Sequence, residues 1–66
     1  MEDLKRVIRS YMDEAIAEPE NIYPNGDINW NSVEADAYAR LNPVGETVVL
    51  YFKIFDEISE EYLNNA

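Results

Sequence analysis

The chain has 66 residues, fourteen acids against five bases, a net charge of −9, and neither cysteine nor histidine. That length allows a single domain over residues 1–66. The composition excludes disulfides and removes the usual ligands of transition-metal sites, so no cofactor or metal is expected and stability must come from packing or self-association.

Residues 3–18 read as a helix, because Leu4, Val7, Ile8, Tyr11, Met12, Ala15 and Ile16 recur at i, i+3, i+4, i+7, i+8, i+11 and i+12. Glu2 and Asp3 suit the positive end of its dipole, and Glu2 is spaced to pair with Arg6. Pro19 marks the stop. The segment 19–29, PENIYPNGDIN, is punctuation, with a turn at Pro24-Asn25-Gly26-Asp27. Ile22 and Tyr23 before that turn, with Ile28 and Trp30 after it, form a short hairpin or pin the loop.

Residues 32–41 admit two readings. Trp30, Val33, Ala37, Tyr38 and Leu41 make a helical stripe, whereas Val33, Ala35, Ala37, Ala39 and Leu41 alternate strictly. The following ETVVLYFKIF (46–55) is rich in β-branched and aromatic residues and reads as a strand, with Asn42-Pro43-Val44-Gly45 as a hairpin loop. Closing that loop sets Ala39, Ala37 and Ala35 opposite Val48, Leu50 and Phe52, and Glu34 opposite Lys53. This register favours a hairpin. Residues 56–64 then form a second helix, capped by Asp56, with Phe55, Ile58, Tyr62 and Leu63 on one face. The expected fold is α+β: helix–β-hairpin–helix, with the helices on one face of a two-stranded antiparallel sheet.

Little in the chain suggests catalysis. Ser10, Ser32 and Ser59 have no His or Cys to activate them. Glu34 and Asp36 form a carboxylate pair in a fold with little pocket, and they read as surface acids. Asp27, Asn29 and Asn31 match the start of a calcium loop, but Ser32 replaces the required glycine and Tyr38 the terminal Glu. Lys5, Arg6 and Arg9 sit beside acids and read as a salt-bridged face. No apolar run approaches the roughly 20 residues that cross a bilayer, and MEDLKRVIRS lacks a signal-peptide core, so a cytoplasmic location is expected.

Two surfaces are candidate binding sites. The open face of the expected sheet carries Trp30, Tyr38, Val49, Tyr51, Lys53 and Phe55, a composition typical of interfaces. A protein partner, a second copy of the chain or a covering element would each account for it. The other surface is acidic: Asp13, Glu14 and Glu18 end helix 1, and Glu57, Glu60 and Glu61 lie on helix 2. From Ser10 onward twelve acids face two bases. Such a surface repels nucleic acid and anionic membranes and attracts basic partners. Rows of carboxylates also imitate a duplex phosphate backbone.

The stretch Ile22-Tyr23-Pro24-Asn25-Gly26-Asp27-Ile28-Asn29-Trp30-Asn31, followed by Val33-Glu34-Ala35-Asp36-Ala37-Tyr38, resembles short proteins of bacteriophages that infect marine cyanobacteria. No catalytic motif accompanies the resemblance. It implies a host-takeover role, in which a small acidic, non-enzymatic protein binds and inhibits or modulates a host protein. A DNA mimic and a small structural or assembly subunit are the alternatives.

Overall fold

A computed structural model describes residues 2–64 and the side chains of residues 3–64. Three α-helices run in the order α1 (Glu2–Ile16), α2 (Trp30–Leu41) and α3 (Glu46–Asn64), with a one-turn 3-10 helix, Pro19–Asn21, after α1. The expected two-stranded sheet is absent among the described residues. Residues 32–41 are helical, and the expected strand 46–55 is continuous with the expected helix 56–64. The fold is a small helical bundle, and the α+β expectation is corrected.

Three physical reasons explain the correction. Asn29 is an N-cap: its side-chain oxygen accepts the Ser32 amide hydrogen at 3.2 Å, so α2 starts with an orphan donor satisfied. Between Val33 and Leu41 the chain is mostly Ala, Glu, Arg and Leu, all good helix formers. Asn42 then takes left-handed backbone (φ 51°), and Pro43 prevents continuation, so the expected hairpin loop is a helix–helix joint.

The β-branched residues of 46–55 cost α3 roughly 2 kcal/mol of helix propensity in all. Burial outweighs this. Tyr51, Ile54, Phe55 and Ile58 recur at the helical period and are all buried. Four such side chains contribute roughly 6–12 kcal/mol. A bare two-stranded ribbon has no comparable face to bury.

The core comprises Ile8, Met12 and Ala15 from α1, Val33 and Ala37 from α2, and the four residues of α3. The α1 expectation holds, and its apolar stripe supplies a third of that core. Ala35 and Ala39, expected to face a neighbouring strand, are exposed on α2. Trp30 meets Phe55 and Tyr62, while Tyr38 meets Tyr51 and Phe52, so α2 runs antiparallel to α3. Lys5 reaches Glu57 and Glu61, and Arg9 reaches Glu61, across the seam between α1 and α3. The expected Glu2–Arg6 pair involves a side chain outside the described residues.

The 17–29 connection is held from within. Ile22 and Ile28 form an isolated antiparallel bridge around the turn that pins the loop, while Trp30 belongs to α2 and not to a hairpin strand. Gly26 (φ 95°) adopts the left-handed backbone that the turn requires. At the centre lies Asn21, only 2% exposed. Its side-chain amide donates to the Ala15 carbonyl at 2.8 Å and to an Asp36 carboxylate oxygen at 3.0 Å, and its carbonyl oxygen accepts from the Ser32 hydroxyl. Its backbone bonds Glu18 and Asn29. This one residue closes the end of α1 and ties it to the start of α2.

Candidate partner-binding surfaces

The six residues assigned to a sheet face do not form one surface. Tyr51 and Phe55 are core residues, and Trp30 and Tyr38 are half-buried against them. The Tyr51 hydroxyl donates to the Glu34 carbonyl, and burial drives its pKa well above the usual tyrosine value. Only Val49 and Lys53 are exposed. The sheet-face site is therefore corrected, for the same reason as the fold: a period of 3.6 divides these residues between the two sides of a helix. The expected Glu34–Lys53 pair is not formed among the described residues, where Lys53 makes no ion pair.

What α3 presents outward is a different set. Val49, Phe52, Lys53, Asp56 and Glu60 follow the spacing i, i+3, i+4, i+7 and i+11, and all are exposed. Val49 is 71% exposed and Phe52 45%. Phe52 is not loose, because its ring stacks on Tyr38 at 5.6 Å, and Tyr38 stands edge-on to Tyr51 at 5.3 Å. The platform is thus anchored to the core through two rings. Towards the C-terminus the same face turns acidic, at Asp56, Glu57 and Glu60. Sequence reasoning found Val49 and Lys53 but missed Phe52, which the assumed register turned inward. The signal was available as the complement of the Tyr51-Ile54-Phe55-Ile58-Tyr62 stripe.

The acidic residues divide by location. Glu14, near the end of α1, and Glu18, just beyond it, both pair with Arg40, which also bonds Asp36 at 2.9 Å. The hydrogen bond to Asp36 is the largest cause raising the Arg40 pKa. Asp13 accepts a hydrogen bond from the Tyr62 hydroxyl. That bond, followed by burial, pushes the Tyr62 pKa up to about 12. Glu61 is held below the usual carboxylate range by its hydrogen bond to Arg9 and then by Lys5. Lys5 also stands 4.0 Å from Glu57. Of the six acids assigned to binding, only Glu60 is unengaged among the described residues. The other five take part in contacts that hold the helices together. Asp56 and Glu60 make no ion pair among the described residues, and both lie on the outward face of α3.

A groove of about 510 Å³ opens at the other end of the molecule, lined by Tyr23, Gly26, Asp27, Ile28, Trp30, Tyr62 and Leu63. The side-chain oxygen of Asn29, part of the partial calcium-loop match, is occupied by the α2 cap. No cluster of three or more acids suited to a metal ion occurs among the described residues. Nor, among them, is any helix long and apolar enough to cross a membrane.

The geometry defines a class, an acidic three-helix domain with an aromatic-anchored outer face. No protein-family model, curated protein or solved structure matches the chain.

Proposed function

We propose that this chain is a non-enzymatic binding protein that docks a basic protein partner on the outward face of α3. The observation that carries the reading is the juxtaposition on one helix face. Val49 and Phe52 are exposed, with Phe52 backed by Tyr38, and Asp56 and Glu60 follow within three turns without an ion pair among the described residues. The matching partner is a segment with apolar residues at one end and Lys or Arg at the other, laid along α3 as a helix lies in a groove. The apolar end supplies most of the affinity, and the charges set orientation and rate. Lys53 sits at the boundary and disfavours basic residues opposite the apolar end, which fixes the direction of docking. The resemblance to cyanophage proteins makes a host protein the natural source of such a segment, with inhibition or modulation as the consequence.

Electrostatic mimicry of DNA draws less support, because Glu14, Glu18, Glu57 and Glu61 face cations of their own chain.

The test uses a synthetic amphipathic peptide, apolar in its first two turns and lysine-rich in its last two, titrated into the isotopically labelled protein. Shifts should concentrate at Val49, Phe52, Asp56 and Glu60. The double variant Val49→Ser/Phe52→Ser should weaken binding about tenfold or more, and a peptide of reversed polarity should bind less well. Shifts scattered over α1, or equal affinity for both peptides, would overturn the reading. Tyr51→Ala is unsuitable as a probe, because it empties the core.

A further inference from the structure

The groove lies at the C-terminal end of α3, away from the Val49 and Phe52 platform, and its lining is chemically specific. Three of its seven lining residues, Tyr23, Trp30 and Tyr62, are aromatic. Trp30 and Tyr62 meet at 5.7 Å with their planes tilted by 50°, which makes an angled wall rather than a flat stack. Tyr23 stands on the rim, 48% exposed. Asp27 contributes the single charged side chain, and no cation is among the lining residues. Asp27 accepts a hydrogen bond at 3.1 Å from the Asn25 amide, a neutral donor that orients the carboxylate and leaves its charge uncompensated.

The loop that carries Tyr23 and Asp27 is built rather than slack. The Tyr23 amide donates to the Asp27 carbonyl at 2.8 Å, and the Gly26 amide to the Tyr23 carbonyl at 2.9 Å. The Asp27 amide donates to the Asn25 side chain at 3.0 Å. The Ile22–Ile28 bridge and the bond from the Asn29 amide to the Asn21 carbonyl then lock the loop onto the buried asparagine. Tyr62 is fixed by its bond to Asp13.

We infer that this groove is a receptor for an organic cation, an alkylammonium or guanidinium group held between Tyr23, Trp30 and Tyr62 with Asp27 as counter-charge. Aromatic faces attract such cations through their quadrupole, and the attraction grows when the site is partly desolvated. A carboxylate at the rim steers the cation and leaves the inner apolar wall to contact its methyl or methylene groups. A neutral apolar ligand would gain the wall but not the charge. An inorganic cation would gain the charge but lose more hydration than the rings return. Arg9, the cation nearest in effect to Tyr62, is itself paired with Glu61 at 2.9 Å and is not among the lining residues. The cation has two sources to separate: a free small molecule, or a lysine or arginine side chain of a bound protein.

Trp30 is the only tryptophan in the chain and lines this groove, so its emission responds to a ligand bound there. The experiment titrates the full chain with tetramethylammonium, with its neutral isostere tert-butanol, and with the N-acetyl amides of arginine and trimethyllysine, while recording Trp30 fluorescence. The expected result is saturable change with the cations and at least about fivefold weaker response to the neutral isostere. Asp27→Asn and Tyr23→Ala should each weaken cation binding roughly three- to tenfold. Both positions are exposed, and an unchanged circular dichroism spectrum would show that these variants fold. Phe52→Ser, on the separate α3 face, should leave the titration unchanged. Stronger binding of the amino-acid amides than of tetramethylammonium would identify the source as a protein side chain, and the reverse order a free small molecule. Equal response to tert-butanol, no saturable response to any cation, or full binding by Asp27→Asn would overturn the inference.

Discussion

Replacing Asn21 by aspartate would test whether one buried residue ties the end of α1 to the start of α2. The substitution preserves shape but turns the amide's two donors into an acceptor. Those donors now meet the Ala15 carbonyl at 2.8 Å and the Asp36 carboxylate at 3.0 Å. The introduced carboxylate, once ionised, would set oxygen against oxygen at both points, with two carboxylates in contact. Losing two buried hydrogen bonds, one of them to a charged group, costs about 3–5 kcal/mol. A domain of this size has roughly 3–10 kcal/mol to lose, so Asn21→Asp should be partly or wholly unfolded at pH 7. Asn21→Ala, which removes these bonds and the one accepted from the Ser32 hydroxyl without adding charge, should cost about 2–4 kcal/mol. The two variants differ in pH dependence. The environment raises the folded-state pKa of the introduced carboxyl above its unfolded value of about 4. Asn21→Asp is therefore nearest to the parent below that pH, and loses stability as pH rises through the unfolded pKa towards the folded one. Urea unfolding at about pH 3.5 and pH 7, followed by circular dichroism, separates these cases. With a slope of about 1 kcal/mol/M, a loss of about 3 kcal/mol moves the midpoint by roughly 3 M. A loss below about 1 kcal/mol at pH 7, or no difference in the deficit of Asn21→Asp between the two pH values, would refute the assignment of Asn21 as the knot.

Other expectations follow from single contacts. Tyr62→Phe should cost about 1 kcal/mol at pH 7 by removing the bond to Asp13. With the Tyr62 pKa raised to about 12, that bond's contribution is complete below about pH 10 and lost as pH climbs from about 10 to about 12. The variant's alkaline unfolding curve should therefore be flatter in that window than the parent's. Tyr51→Phe should cost about 1 kcal/mol by removing the bond to the Glu34 carbonyl, and Tyr51→Ala about 3–5 kcal/mol through the cavity, both read by thermal melts. Asn42→Gly should be neutral or slightly stabilising, whereas Asn42→Val should lower stability by about 1–2 kcal/mol, because a β-branched residue resists a φ of 51°.

Where the sequence reading succeeded, one periodicity was present without a rival. The α1 stripe from Leu4 to Ile16 had no competing alternation, and the loop after Pro19 contained its own turn residues. Between Val33 and Leu41 two periods coexist, because alanines at every second position fit a strand face while Val33, Ala37 and Leu41 fit a helix face. Alanine decides little by burial and much by propensity, and its propensity is helical. The apparent hairpin register paired small residues with large ones largely because alanine occupies every alternate position. The decisive signals were the Asn29 cap and the stripe from Tyr51 through Ile54, Phe55 and Ile58 to Tyr62. That stripe runs unbroken across Phe55, where the expected strand was to end. Asn21 was illegible for a different reason. An asparagine after Pro-Glu looks like solvent-facing punctuation, and only the return of the chain through Ser32 and Asp36 buries it.

The distribution of charge connects folding to the proposed binding. A chain carrying −9 meets self-repulsion on compaction. Lys5, Arg9 and Arg40 are placed where that repulsion would fall on packed seams: two between α1 and α3, and one where the ends of α1 and α2 meet. Each exposed pair is individually weak and screened by salt, yet together they discharge the seams. The acids without an ion pair among the described residues include Asp56 and Glu60 on the outward face of α3 and Asp27 beside the aromatic groove. Adding a cation at one of these outward positions, as in Glu60→Lys, should therefore relieve repulsion and raise the melting temperature slightly while weakening a basic partner. Such opposite signs in stability and affinity are what an acidic surface retained for binding requires, and a surface retained only for solubility does not.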